Sequence, residues 1–105
     1  MSGAPKLSLD DAKALVATKP HPRVTEDYIK AAITDVEFLT SGQTTIALVT
    51  IDNGFRVIGT STPADPRNFD AEIGKTYAYE NAFKQLWPLM GFRLRDHIAD
   101  THWKV

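Results

Sequence analysis

The chain has no cysteine and no long apolar run. Without cysteine, disulfides, thiolate nucleophiles and cysteine-ligated metal sites are all excluded. No apolar segment approaches the roughly 18 to 20 residues that a membrane-spanning helix needs, and the N-terminus does not have the pattern of a secretory signal. We therefore expect a cytoplasmic setting and no membrane as a partner.

Excess charge of either sign is also missing. The 12 basic and 13 acidic residues give a net charge of −1. Such a balance produces no long-range attraction to nucleic acid, so we expect no nucleic acid polymer as a partner. An apolar fraction of 43% with 24% charged residues is typical of a folded protein. The 105 residues predict a single domain, residues 1–105, with a flexible lead over residues 1–6.

Motifs of catalysis and metal binding are absent as well. There is no nucleophile elbow, and no glycine-rich phosphate loop that ends in lysine. Asp70 and Glu72 are better explained as acidic residues that favour the start of a helix than as an acid–base pair. The spacing of His97 and His102 matches no common metal motif, and isolated solvated histidines are the simpler interpretation. We expect no enzyme activity, no cofactor and no metal.

Two short helices are predicted near the N-terminus. Ser8 is a good N-cap for the first, which Pro20 and Pro22 end. Thr25 can cap the second, and Val24 before it can form a hydrophobic staple.

A β-meander follows. Three segments rich in β-branched residues predict strands: Val36–Thr40, Thr44–Ile51 and Phe55–Ser61. Asn53-Gly54 is a strong hairpin signal, and as a two-residue loop it would place Val49 opposite Ile58. Because both faces of the middle strand are apolar, we expect it to lie between two packed layers.

A long C-terminal helix is predicted after Asn68 or Asp70, either of which can serve as its N-cap. Its apolar stripe consists of Ile73, Tyr77, Ala78, Leu86 and Trp87. Pro88 and Gly91 predict a kink or break, followed by a short helical turn. The fold class is therefore α+β: a small antiparallel three-stranded meander packed with a long C-terminal helix and two N-terminal helices. An exposed edge of so small a sheet favours a homo-oligomer.

The candidate binding surface is an aromatic and basic strip around the last helix. Its members are Phe69, Tyr79, Asn81, Lys84, Arg93 and Arg95. Aromatic rings can stack on a base, and arginine forks suit phosphate. The competing interpretation is structural, in which neighbouring rings such as Tyr77 and Phe83 fill the core and Arg93 pairs with Asp96.

The sequence resembles a known family of small phage proteins. The segments that carry the resemblance are NFDAEIG from Asn68, ENA from Glu80 and LWPL from Leu86, together with NGF from Asn53. They are similar to the tailed-phage family named after gene product forty-nine of phage N4 and gene sixty-six of phage Sf6. The resemblance covers residues 24–98.

The resemblance implies a function in phage anti-defence. Related phage proteins defeat the Thoeris system by sequestering its cyclised ADP-ribose signal, without cleaving it and usually as oligomers. The expected partner is then a nucleotide-derived small molecule in the host cytoplasm, and Phe69, Asn81 and Arg95 lie within the matching motif. The alternative is a protein-interaction module that inhibits a host protein through an apolar patch around Trp87, Phe92 and Trp103.

Overall fold

A computed structural model describes the backbone of residues 3–103 and the side chains of residues 3–101. The elements in chain order are α1 (Leu9–Ala17), α2 (Glu26–Ala32), β1 (Ile33–Ser41), β2 (Thr44–Ile51), β3 (Arg56–Ser61), a 3-10 turn (Pro66–Asn68), α3 (Ala71–Ile98) and a π-helical turn (Ala99–Trp103). The strands form one antiparallel sheet in the order β1-β2-β3. The predicted α+β fold class is confirmed. Within the described residues, no helix has both the length and the apolar character needed to cross a bilayer.

The predicted helix caps are present at all three helix starts. The Ser8 hydroxyl accepts the backbone N–H of Asp11, and the Thr25 hydroxyl accepts that of Tyr28. The Asp70 carboxylate accepts two N–H groups at the start of α3. These local hydrogen bonds satisfy donors that a helix start otherwise leaves without a partner.

The hairpin between β2 and β3 differs from the predicted two-residue loop. Ile51 bonds through its N–H to the Phe55 carbonyl and accepts the N–H of Gly54, so the loop has three residues. Of the three loop residues, only Gly54 has a positive φ, at +88°. A two-residue type I′ turn needs positive φ at both central residues, and Asn53 does not supply it. The predicted register was therefore wrong by one residue: Val49 pairs with Val57 and not with Ile58.

One face of the sheet, here called the inner face, packs against α3 and α2. The core consists of Ile29, Ala32, Ala47, Val49, Ile51, Val57, Ala78, Ala82, Phe83, Leu86 and Met90. Small residues lie where α3 crosses the sheet. Ala78 and Ala82 of α3 are so close to Gly59 of β3 that a Cβ atom at Gly59 would collide with them. This contact holds α3 close to the strands. It therefore determines which residues of α3 lie at each end of the sheet.

The opposite face of the sheet, the outer face, is not covered by a second layer. Burial along β2 alternates, with every second residue fully buried. On the outer face, Leu39 remains 46% and Ile58 54% exposed. The prediction that β2 lies between two packed layers was therefore wrong. The apolar residues on both faces of β2 indicated that both faces would be buried, but the protomer covers only the inner face.

Helix α3 runs without a break through Pro88, so the predicted alternative of a break followed by a separate helical turn was wrong. Pro88 lacks the N–H that would bond the Lys84 carbonyl, and both residues lie on the exposed side of the helix, where water can reach that carbonyl. The fully buried Leu86 and Met90 hold the helix against the sheet on either side of the proline.

The predicted apolar stripe of α3 was correct at Ala78 and Leu86, which are buried. It was wrong at Ile73, Tyr77 and Trp87, which are exposed. Phe83, which falls beside the predicted stripe, is buried. Arg93 bonds to Asp52 in the hairpin rather than to Asp96.

Candidate functional site

The start of α3 borders a cleft of about 370 Å³, here called the entrance cleft. It is formed where β3 ends, the chain turns through the 3-10 segment and α3 begins. Its lining residues are Gln43, Ser61, Thr62, Pro63, Asn68, Phe69, Asp70, Ile73, Gly74 and Tyr77. The volume lies within the range of small-molecule sites in proteins, at the lower end.

Two aromatic rings give the entrance cleft its binding character. Tyr77 is 63% exposed and Phe69 37% exposed, so both rings can accept a planar group. Hydroxyl and amide side chains surround them, and the Thr62 hydroxyl is held 2.8 Å from the Thr44 hydroxyl. Stacking surfaces beside hydroxyls and amides suit a nucleobase and its ribose.

Among the lining residues, Asp70 is the one with a charged side chain. Its carboxylate is 3.0 Å from the backbone nitrogens of Glu72 and Ile73, where it caps α3. Arg67 lies close in sequence, but its guanidinium pairs with Asp65 at 2.6 Å. One protomer thus offers rings and hydrogen-bonding groups in this cleft, while cations for a phosphate would have to come from outside the lining.

Asn81, a predicted ligand contact, has a structural hydrogen bond at the free edge of β3. Its Oδ1 accepts the Thr60 N–H at 3.0 Å. One turn later, Gln85 Nε2 donates to the Ile58 carbonyl at 2.7 Å. These two amides bond backbone groups that point away from β2, so they close part of an edge that another strand would otherwise pair with. The edge-strand argument for oligomers therefore does not extend to this side of the sheet.

Tyr79 and Lys84 border a different cleft, of about 280 Å³, between α2 and α3. The Tyr79 ring is 5.8 Å from that of Phe83, which in turn meets Trp87 edge-on at 6.4 Å. Burial raises the pKa of the Tyr79 phenol above its ordinary value. These three rings follow one another along α3, and Tyr79 is partly buried against the core, so the interpretation of Tyr79 as a packing residue has a direct physical basis here.

Arg93 lies beyond the hairpin end of the sheet, beside a cleft of about 390 Å³, here called the hairpin cleft. Its guanidinium donates to the two carboxylate oxygens of Asp52 at 2.7 and 3.3 Å. The hydrogen bond from Arg93 holds the pKa of Asp52 below its ordinary value. Phe55, Leu89 and Phe92 give the cleft apolar walls, and Phe92 is 73% exposed. Arg95 is exposed in the last turn of α3 and lines none of these clefts.

The predicted strip is not assembled as one site within a protomer. The axial rise of 1.5 Å per residue separates Tyr77 from Arg95 by about 27 Å. Phe69 lines the entrance cleft, and Tyr79 and Lys84 line the cleft between α2 and α3. Arg93 lines the hairpin cleft, and Asn81 lies at the edge of the sheet.

Sequence reasoning missed Tyr77 as a cleft residue, because helical periodicity assigned it to the core. The polar wall of the entrance cleft was missed too, since its residues come from three separate chain segments. Among the described side chains, no three His, Asp or Glu residues converge as a metal site would require.

The fold and the clefts define a small α+β protein with a ligand-sized cleft at the start of its long helix. A family model, described as phage protein (N4 Gp49/phage Sf6 gene 66) family, matches residues 24–98. The chain belongs to this family, which confirms the resemblance. No curated protein and no solved structure matches the chain.

Proposed function

We propose that this phage protein binds and sequesters a nucleotide-derived immune signal, a cyclised ADP-ribose or a cyclic oligonucleotide, without cleaving it. In this role it would act in the host cytoplasm against a defence system of the Thoeris type. The observation that supports the proposal is the entrance cleft, where Phe69 and Tyr77 expose their rings beside hydroxyl and amide groups. Stacking of a base on an aromatic ring contributes about 1 to 3 kcal/mol per base.

The phosphates need a positive group that the lining of the entrance cleft does not contain. Arg95 is too far along α3 to reach this cleft within the same protomer, by the rise of the helix. In a homo-oligomer, Arg95 of a second protomer can complete the site and bind the pyrophosphate through its planar fork. The proposal thus joins Phe69 and Arg95, which both lie in the family motif, through assembly rather than through the fold of one chain.

The chemistry of the cleft supports retention without cleavage. Asp70 Oδ1 accepts two backbone N–H groups, which fix this carboxylate at the start of α3. Among the described residues, the lining of the cleft contains no histidine, lysine or second carboxylate to work with Asp70 in acid–base catalysis.

The test is native mass spectrometry of the protein mixed with a panel of cyclic nucleotides and cyclised ADP-ribose isomers, with the small molecules recovered by heating. We expect one signal molecule to be retained by a defined oligomer and released unchanged. Phe69→Ala, Tyr77→Ala and Arg95→Ala should each weaken its retention. Phe92→Ala, which removes an exposed ring at the opposite end of α3, is the matched control and should retain it. Unchanged retention by Phe69→Ala and Arg95→Ala would overturn the proposal, as would recovery of a cleaved product.

A second candidate is inhibition of a host protein through the apolar hairpin cleft. It is favoured by the exposure of Phe55 and Phe92, because large exposed rings often anchor protein interfaces. Trp87 lies on the other cleft, between α2 and α3, and the Trp103 side chain is outside the described part of the chain. Nucleotides should then leave the melting temperature unchanged, and Phe92→Ala should abolish capture of the host protein.

A further inference from the structure

The outer face of the sheet has an apolar centre that the protomer leaves open. Leu48 of β2 stands beside Ile58 of β3, and Ile46 stands beside Leu39 of β1. All four belong to the set of strand positions that alternates with the buried core residues. A contiguous group of apolar residues that the protomer leaves partly exposed is typical of a protein interface.

Charges are arranged asymmetrically around this apolar centre. Asp35 and Glu37 project from β1 at one side, and Arg56 projects from β3 at the other. Asp35 and Arg56 share the same level of the sheet, since each pairs with Thr50. Two strand spacings of about 4.8 Å keep them apart within the protomer. None of the three charged groups takes part in an ion pair among the described residues.

We propose that the outer face binds the same face of a second copy of this chain, around a two-fold axis parallel to the strands. Such an axis preserves the level along each strand and exchanges left with right. Asp35 of each copy then faces Arg56 of the other, which forms two equivalent ion pairs. Leu48 and Ile46, on the central strand, meet their own equivalents at the centre of the interface, as an isologous contact requires.

Face-to-face assembly is consistent with the closed edge of the sheet. Asn81 and Gln85 bond backbone groups at the free edge of β3. Another strand that paired with this edge would need the same backbone groups. Two sheets that pack by their faces keep their strands nearly aligned, with a rotation of about 30° that comes from sheet twist. The proposed axis gives this aligned arrangement.

The size of the face sets the concentration at which the dimer should be studied. Three strands about 4.8 Å apart and about 26 Å long give a footprint of roughly 370 Å² for each copy. This is below the roughly 800 Å² per partner of a standard interface, so we expect a dimer that dissociates at micromolar concentrations.

Sedimentation equilibrium of the full chain, without ligand, tests this interface through complementary charge reversal. In the Asp35→Arg dimer, each of the two ion pairs is replaced by two facing arginines. In the Arg56→Asp dimer, each is replaced by two facing aspartates. Each variant alone should dimerise at least tenfold more weakly than the parent chain. An equimolar mixture of the two variants should recover a one-to-one heterodimer, because every reversed charge then meets its opposite. Dimerisation through β1 edges or through helices would not produce this recovery.

Two further variants control for the apolar centre. Leu48→Glu should abolish dimerisation through the outer face without unfolding the chain, whereas Leu15→Glu, which makes the same change at an exposed residue on α1, should leave the dimer intact. Circular dichroism verifies that each variant remains folded. A parent chain that stays monomeric up to several hundred micromolar would overturn the proposal. So would charge-reversed variants that dimerise normally, or that fail to associate when mixed.

Discussion

Gly59 of β3 and Ala82 of α3 are so close that a Cβ atom added to Gly59 would lie 2.8 Å from the Ala82 methyl carbon. The same added atom would also collide with backbone atoms of α3 at Ala78 and Ala82. Backbone cannot move aside as the end of a flexible side chain can. The distance between sheet and helix is therefore determined by the absence of a side chain at this one position.

Gly59→Ala should destabilise the fold. Overpacking of a well-packed core typically costs about 1 to 3 kcal/mol, and contact with backbone places this site at the upper end. Urea unfolding measures the change. Gly91→Ala is the matched control: nothing lies near its added Cβ, and alanine within a helix is about 1 kcal/mol more favourable than glycine. If both variants were equally stable, the close contact would not limit packing.

Local chemistry made part of the fold predictable. Ser8, Thr25 and Asp70 cap their helices because each acts on N–H groups two or three residues away. The register of the hairpin was not predictable in this way. Asn53-Gly54 is compatible with a two-residue loop and with a longer loop in which only Gly54 has positive φ. The choice depends on which residues of β3 meet α3, and that is a tertiary contact.

The candidate site was predictable to a smaller extent. Phe69 does line a cleft, but Tyr77 was assigned to the core because periodicity does not specify which side of a helix faces the sheet. Asn81 has a backbone partner in β3 that is distant in sequence, so no local pattern indicates it. The break at Pro88 was predicted wrongly for a related reason: buried residues on either side of Pro88 hold α3 against the sheet, and this packing is a tertiary contact.

The ion pair between Arg93 and Asp52 should make stability depend on pH. The hydrogen bond from Arg93 lowers the pKa of Asp52 in the folded protein from its ordinary value of 3.8. The ion pair therefore stabilises the fold at pH values above 3.8. The stabilisation is lost as the pH falls through the lowered folded-state pKa. Asp52→Asn should therefore unfold more easily than the parent chain at pH 7, and the difference should shrink below pH 3.8.

Urea titrations at a series of pH values measure this dependence. The control is Asp96→Asn, which changes a carboxylate that lines the hairpin cleft, whereas Arg93 forms its ion pair with Asp52. A difference between Asp52→Asn and the parent chain that stayed constant down to acid pH would show that the charge of Asp52 contributes nothing.

Asn81 should prove important for stability before any ligand is added. Asn81→Leu removes the acceptor for the Thr60 N–H at the edge of β3, and loss of one such hydrogen bond costs about 1 kcal/mol. Hydrogen exchange at the Thr60 amide should accelerate with it. Lys84→Leu, three residues along the same helix on an exposed position, serves as the comparison and should leave that amide protected.

Tyr77 and Phe83 allow binding and folding to be separated within one helix. Tyr77 is exposed in the entrance cleft, so Tyr77→Ala should change the free energy of unfolding by less than about 0.5 kcal/mol. Phe83 is buried in the core, and Phe83→Ala should cost about 3 to 5 kcal/mol.

Equilibrium dialysis against the retained nucleotide signal should show at least tenfold weaker binding for Tyr77→Ala, because stacking on the ring is lost. Tyr77→Phe keeps the aromatic face and should restore most of the affinity. A folded Tyr77→Ala protein that bound the signal as tightly as the parent chain would move the ligand away from the entrance cleft.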